Sequence, residues 1–189
     1  MFEKIAGTLA VLIIAVLGYA LSLPDTFRVE RTISIRMAPE KIYARISDFR
    51  RWEEWSPWEN RDPMMKRTYR GIVPGRGSAY AWEGNDSVGA GTMEIIVAEP
   101  PNKIGIKLDI SRPFEAHNTA EFTLTGNGDS TAVTWAMTGP SPYSSKLMSV
   151  FFSMDRMVGK DFENGLANLK AAVEKSPAGS NLPAGGPVR

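Results

Sequence analysis

The stretch from Ser145 to Lys175 constrains the fold more than any other. Apolar residues fall at Leu147, Phe151, Met154, Val158, Phe162, Leu166, Leu169 and Val173, steps of three and four that define one face of a long α-helix. Lys160, Glu163, Asn164, Lys170 and Glu174 are left for water in its second half. Its first half carries further apolar residues at Met148, Val150, Phe152 and Met157. Such a helix buries one stripe at its end and more of its girth at its start. Met and Phe in the first turns suit the wall of a ligand cavity, since Met repacks at low cost around irregular shapes.

The chain ahead of this helix reads as strand after strand. Phe27 to Met37 alternates apolar and polar residues, with Arg31 interrupting its apolar side. Pro39 opens a short helix with Ile42, Tyr43 and Ile46 on one face. Six strand-like segments follow: Lys66 to Arg70, Ser78 to Glu83, Gly91 to Glu99, Lys103 to Ile110, His117 to Thr125 and Thr131 to Met137. Gly, Pro and Asn clusters separate them, as at Gly126-Asn127-Gly128-Asp129. One-sided alternation predicts an antiparallel sheet with one wet face. A single long helix is available to cover the other face. The expected class is α+β, a curved antiparallel sheet wrapped around a long C-terminal helix, with space between them for side chains or a ligand.

Two further segments flank this pattern. Ile5 to Leu23 is an uncharged, mostly aliphatic run, and as a helix it would span roughly 28 Å at about 1.5 Å per residue, near the thickness of a bilayer's hydrocarbon core. A single-pass N-terminal membrane anchor over residues 1–24 is the expectation, with its side of the membrane undetermined. A signal peptide cleaved after Gly18-Tyr19-Ala20 and a buried helix are the alternatives. Residues 25–176 form the expected folded domain. The Pro-, Gly- and Ala-rich end, 177–189, is expected to be a disordered tail.

Composition excludes several chemistries. The chain has no cysteine and one histidine, so thiol nucleophiles, Cys metal sites and multi-histidine metal sites are ruled out within it, and no cofactor is expected. With 22 basic and 21 acidic residues and no basic stripe, nucleic-acid binding has no electrostatic basis. Gly75-x-Gly77 and Gly89-x-Gly91 are turn glycines between strands, and no G-x-S-x-G nucleophile elbow occurs.

The order of elements and the local motifs resemble the START-like helix-grip superfamily (SRPBCC), and within it the polyketide cyclase/dehydrase-like group. The resemblance runs from about Phe27 to Lys175. It is carried by Ala38-Pro39-Glu40-Lys41-Ile42-Tyr43, Asp48-Phe49-Arg50-Arg51-Trp52, Trp55-Ser56-Pro57-Trp58, Tyr80-Ala81-Trp82-Glu83-Gly84-Asn85, Ala120-Glu121-Phe122-Thr123-Leu124 and Thr134-Trp135-Ala136-Met137-Thr138-Gly139. It implies a hydrophobic small molecule or lipid as ligand. Because such proteins share no fixed catalytic set, it names no catalytic residue.

Candidate ligand-binding residues follow from strand phase and from the start of the long helix. Asn118 lies in phase with Phe122, and Trp82 and Trp135 offer N–H donors along an apolar wall. Trp52, Trp55 and Trp58 form an aromatic plug that closes one end of the core or rims a pocket. Tyr143 stands just before the helix, and Met148, Phe151 and Phe152 lie in its first turns. His117 is in phase with Thr119 and Glu121, on the wet face. Arg31 is read either as an edge salt bridge or as a contact for an anionic head group. Three functions compete: a membrane-anchored domain that binds a hydrophobic small molecule or lipid, a cyclase- or dehydratase-type enzyme working in the same cavity, and a protein-interaction or stress-response module whose core is filled by its own side chains.

Overall fold

The computed structural model describes residues 2–71 and 74–175. Helix α1 (Phe2–Ser22) leads into strand β1 (Thr26–Ile35), helix α2 (Pro39–Ile46) and a 3₁₀ helix (Phe49–Glu54). Strands β2 (Lys66–Arg70), β3 (Ala79–Glu83), β4 (Ala90–Glu99), β5 (Lys103–Arg112), β6 (Ala116–Asn127) and β7 (Ser130–Pro140) follow, then helices α3 (Tyr143–Phe151) and α4 (Met154–Glu174). The tail 177–189 lies outside the described residues.

The strands form one seven-stranded antiparallel sheet in the order β1-β7-β6-β5-β4-β3-β2. Hairpins link β2 through β7, so β1 and β2 end up on opposite edges. The segment between them must therefore cross the sheet. It carries α2, the 3₁₀ helix and the tryptophan cluster across the inner face, and this is why Trp52 and Trp55 are buried and Trp58 half-buried. Strand phase assigns that face correctly: Val29, Ile35, Ile95, Ile104, Ile106, Phe122, Leu124, Val133 and Trp135 are buried with Trp52, Trp55, Phe162, Leu166 and Leu169.

Helix α4 closes the core over β1 and β7. Its Phe162 ring stacks on Trp135 with centroids 4.1 Å apart and planes at 5°. Gly165 makes this approach possible. A Cβ there would lie 2.8 Å from the Trp135 ring and 3.0 Å from Pro57, closer than packed atoms tolerate.

The expected single helix from Ser145 to Lys175 is two helices. Phe152 leaves helical geometry (φ −131°, ψ 109°), Ser153 is extended (φ −74°, ψ 128°), and α4 restarts with Asp155 in its first turn. The two helices have different partners: α4 lies on β1, whereas α3 packs against α1. One straight helix cannot follow both. A serine two residues before an aspartate is a helix-start signal, and the continuous apolar periodicity masked it. The expectation that the helix start is the more deeply buried part is also corrected, because Met148, Phe151, Phe152 and Met157 are exposed.

Lys4–Ser22 within α1 has a mean hydropathy of 2.3 and is long and apolar enough to cross a membrane. Its side chains are almost all exposed, apart from Ala20, which is buried where α3 packs against its last turns.

Candidate functional site

Backbone register resolves the inner face into rows. One row crosses the whole sheet: Phe27 opposite Gly139, then Asn118 opposite Leu108, Leu108 opposite Met93, Met93 opposite Tyr80 and Tyr80 opposite Tyr69. The Asn118 side chain joins the two parts of this row, since its Oδ1 lies against the backbone of Gly139. A parallel row, further from α1, runs Arg31, Trp135, Phe122 and Ile104.

The two rows differ in how full they are. Around Trp135 the space between sheet and helix is packed with rings. Trp135 stacks on Phe122 at 4.9 Å and meets Trp55 at 5.6 Å, and Trp55 meets Trp52 at 4.7 Å. The expected cavity between sheet and helix is occupied here by the protein's own side chains. The row nearer α1 is only partly covered: Phe27, Met93 and Leu108 are half-buried, as are Trp58, Trp82, Met154 and Val158 at the edge of the core. The end of the sheet where α1 and α3 lie is thus the less covered end of the apolar face.

The predicted site residues fall into three groups. Asn118 and Trp82 lie at the less covered end. Asn118 is buried, and it is the polar group of an otherwise apolar and aromatic row. The Trp82 ring lies over Gly91, where a Cβ would sit 2.5 Å from it, and its Nε1 donates to the Val88 carbonyl at 3.0 Å. Trp55 and Trp135 belong to the filled end, and both indole N–H groups are buried without an acceptor among the described residues. A buried N–H costs free energy unless an acceptor reaches it, so these two donors are the unsatisfied polar groups of the ring cluster. Tyr143, Met148 and Phe151 on α3, with Phe152 just after it, form the third group, exposed on a segment that packs against α1. The Tyr143 hydroxyl donates to the Leu17 carbonyl of α1 at 3.2 Å.

Arg31 is an edge salt bridge. Its guanidinium donates to both carboxylate oxygens of Asp155 at 2.8 and 3.0 Å, to Glu163 at 2.9 Å and to the Glu30 carbonyl at 2.8 Å. Hydrogen bonds from Arg31 hold both carboxyl groups below the usual carboxylate range. A guanidinium satisfied in this way has little left for an anionic head group.

One buried network was not anticipated. Glu59 is buried and accepts from Arg67 Nε at 2.7 Å and from the Tyr80 hydroxyl at 2.7 Å. Burial and the Glu59 carboxylate push the Tyr80 hydroxyl far above its ordinary value. The signal was present in part, because Arg67 shares the inward phase of β2 with Tyr69. Glu59 lies in a loop without periodicity, so nothing local marked it. On the opposite face, His117 is exposed and bonded to Asp109 at 2.8 Å, beside an open groove of ≈ 750 Å³ that Lys66, Thr92, Asp109 and Arg112 also line. Among the described residues, no group of three His, Cys, Asp or Glu side chains is placed to hold a metal.

Comparison with known proteins agrees with this architecture. A family model described as polyketide cyclase / dehydrase and lipid transport matches residues 26–174. No curated protein matches the chain. Among solved structures, protein MLL2253 from Mesorhizobium loti is similar at 18% identity and a TM-score of 0.57, covering 81% of this chain and 99% of its own. Protein CV1439 from Chromobacterium violaceum is similar at 14% identity and a TM-score of 0.56, covering 82% of this chain and 100% of its own. The Aha1 dimer from Colwellia psychrerythraea is similar at 18% identity and a TM-score of 0.54, covering 80% and 99%. At these identities the likeness is one of fold.

Proposed function

The chain belongs to the polyketide cyclase / dehydrase and lipid transport family, and from that premise we propose that it is a membrane-anchored helix-grip domain that binds a hydrophobic small molecule or lipid. The proposed binding face is the less covered end of the concave sheet, with Asn118 and Trp82 among its walls. One observation carries the reading: a half-covered apolar row, broken by the buried amide of Asn118, opens beside a helix apolar enough to span a bilayer. A few placed polar groups on an apolar wall is the general form of a site for such ligands. In this reading α1 is the anchor, and it holds the open face where apolar molecules concentrate.

Trp55 and Trp135 belong to the same proposal as donors at the bottom of the site. A ligand that displaced the Trp58 or Met154 side chain would bring an acceptor towards them. Met side chains repack at low cost, so the shift asked of Met154 is small. An enzyme acting in the same place is the second reading, and the inner face offers it little. The Tyr80 hydroxyl is a poor acid because burial and Glu59 raise it, and Glu59 is neutralised by Arg67.

The test is mass spectrometry of apolar molecules extracted from the purified full chain and from Leu108→Trp, which fills the open row. The expected result is a discrete apolar species near one per chain in the natural protein and its loss from the variant. Identical extracts from both proteins would overturn the reading.

A further inference from the structure

The large apolar side chains exposed on the folded domain are not scattered. Apart from those on α1 and Ile96, the exposed ones are Met64, Phe114, Tyr143, Met148, Phe151, Phe152 and Met157. Topology places them at one end of the sheet. β1 begins there at Thr26, just after α1, and β7 ends there opposite it, with Thr26 paired to Pro140. Helix α3, carrying Met148 and Phe151, starts from that same end. Phe114 lies in the turn between the end of β5 and the start of β6, and Met64 lies just before β2 begins opposite the end of β3. The far end of the sheet, with the β6–β7 turn at Asn127 to Ser130, carries no such cluster among the described residues.

These side chains are too exposed to be part of a core: Met64 is 85% accessible, Phe114 81% and Phe151 69%. Soluble surfaces rarely gather so many large apolar groups at one end without a partner for them. Two contacts fix where that end sits. The Tyr143 hydroxyl donates to Leu17 of α1, and the buried Lys146 ammonium bonds Asp25, just beyond α1, at 2.6 Å. Helix α3 is therefore tied to the last turns of α1.

We infer that this end of the domain rests on the lipid surface, with α3 and Phe114 embedded in the interfacial layer around the exit of α1. The inference rests on the reading of α1 as an anchor. Continuity with α1 identifies the occupant. A patch that begins on the last turns of a bilayer-spanning helix and turns outward from it meets lipid before it meets anything else. Amphipathic helices bury their apolar face at this depth. The open row of Phe27, Asn118, Leu108 and Met93 lies at the same end, so an apolar ligand passes between bilayer and site without crossing water.

The chain has no cysteine, so single cysteines report without background. The full chain is reconstituted in phosphatidylcholine vesicles and labelled with an environment-sensitive fluorophore at Phe151→Cys, Phe114→Cys, Leu12→Cys or Asp129→Cys. Each label is then quenched from water by iodide and from the bilayer by lipids brominated at known depth. The expected result is deep lipid quenching at position 12, shallow lipid quenching with several-fold protection from iodide at 151 and 114, and full iodide access at 129. A label at 151 or 114 as accessible as that at 129, with position 12 still deep, overturns the inference and leaves the anchor standing. A label at position 12 open to iodide overturns both, and so separates failure of the anchor from failure of the docking.

Discussion

Glu59 shows how a single residue holds an edge of this sheet in place. Its carboxylate joins Arg67 on β2 to Tyr80 on β3, and its own carbonyl accepts a further bond from Arg67 at 3.0 Å. Removing the carboxylate strips the charge partner from a half-buried guanidinium, which keeps the Met65 and Glu59 carbonyls, and leaves the buried Tyr80 hydroxyl without its acceptor. Glu59→Ala is therefore expected to cost about 3 kcal/mol, the range for stripping one partner from a buried pair. Tyr80→Phe, which loses one hydrogen bond and keeps the ring, is expected to cost about 1 kcal/mol. Chemical denaturation of the two variants checks this, and equal losses would show that the network does not work through Glu59. Gly165 acts in the opposite way, by the absence of a side chain, since it lets α4 lie against Trp135. Periodicity picks out Phe162 and Leu166 on that helix but not the glycine between them, because a close approach is a property of two surfaces.

At the level of elements, the break between α3 and α4 divides the C-terminal region into a part that closes the core and a part that serves α1. The joint depends on the bond between Lys146 and Asp25. Lys146 is buried, and its hydrogen bond and charge hold the Asp25 carboxyl below its ordinary value of 3.8. A carboxyl lowered in the folded state contributes stability that is present above its ordinary value and is lost as pH falls through the folded one. Asp25→Ala removes the partner of a buried ammonium at every pH. Hydrogen exchange should then speed up across Tyr143–Phe151 while the amides around Phe162 to Val173 keep their protection. Unchanged exchange in α3 would mean that packing against α1 alone holds it. The apolar pattern of this region reads as one helix because both helices use the same periodicity. Only the partners differ, and a one-dimensional pattern carries no partner.

Across the whole molecule, acidic and basic groups nearly balance, and the chain's only histidine side chain is its one side chain with an ordinary value near neutrality. His117 is raised above 6.5, first by its bond to Asp109. A group raised in the folded state adds stability that is fully present below its ordinary value and is lost as pH rises through the folded one. Thermal stability is expected to decline modestly as pH rises above 6.5, and Asp109→Asn should flatten that decline. The single imidazole resonance in a proton NMR titration reads the same shift directly, and a midpoint at or below 6.5 would contradict it. Most strand phases, the wet position of His117, the inward position of Asn118, the plug of tryptophans and the apolar N-terminal helix were legible in the order of residues, whereas the bulge after Ile95, which puts Ala98 rather than Val97 against the core, was not. Each of the legible features rests on local periodicity or composition, which neighbouring residues set among themselves. Three-dimensional contact decided the rest. Rings from a crossing loop, a strand and a helix fill the space around Trp135 that strand phase alone left empty. Met148, Phe151 and Phe152, apolar and at helical spacing, stay exposed, on a segment that packs against α1. An apolar side chain must be covered by something, and which surface covers it is settled only when segments far apart in the chain come together.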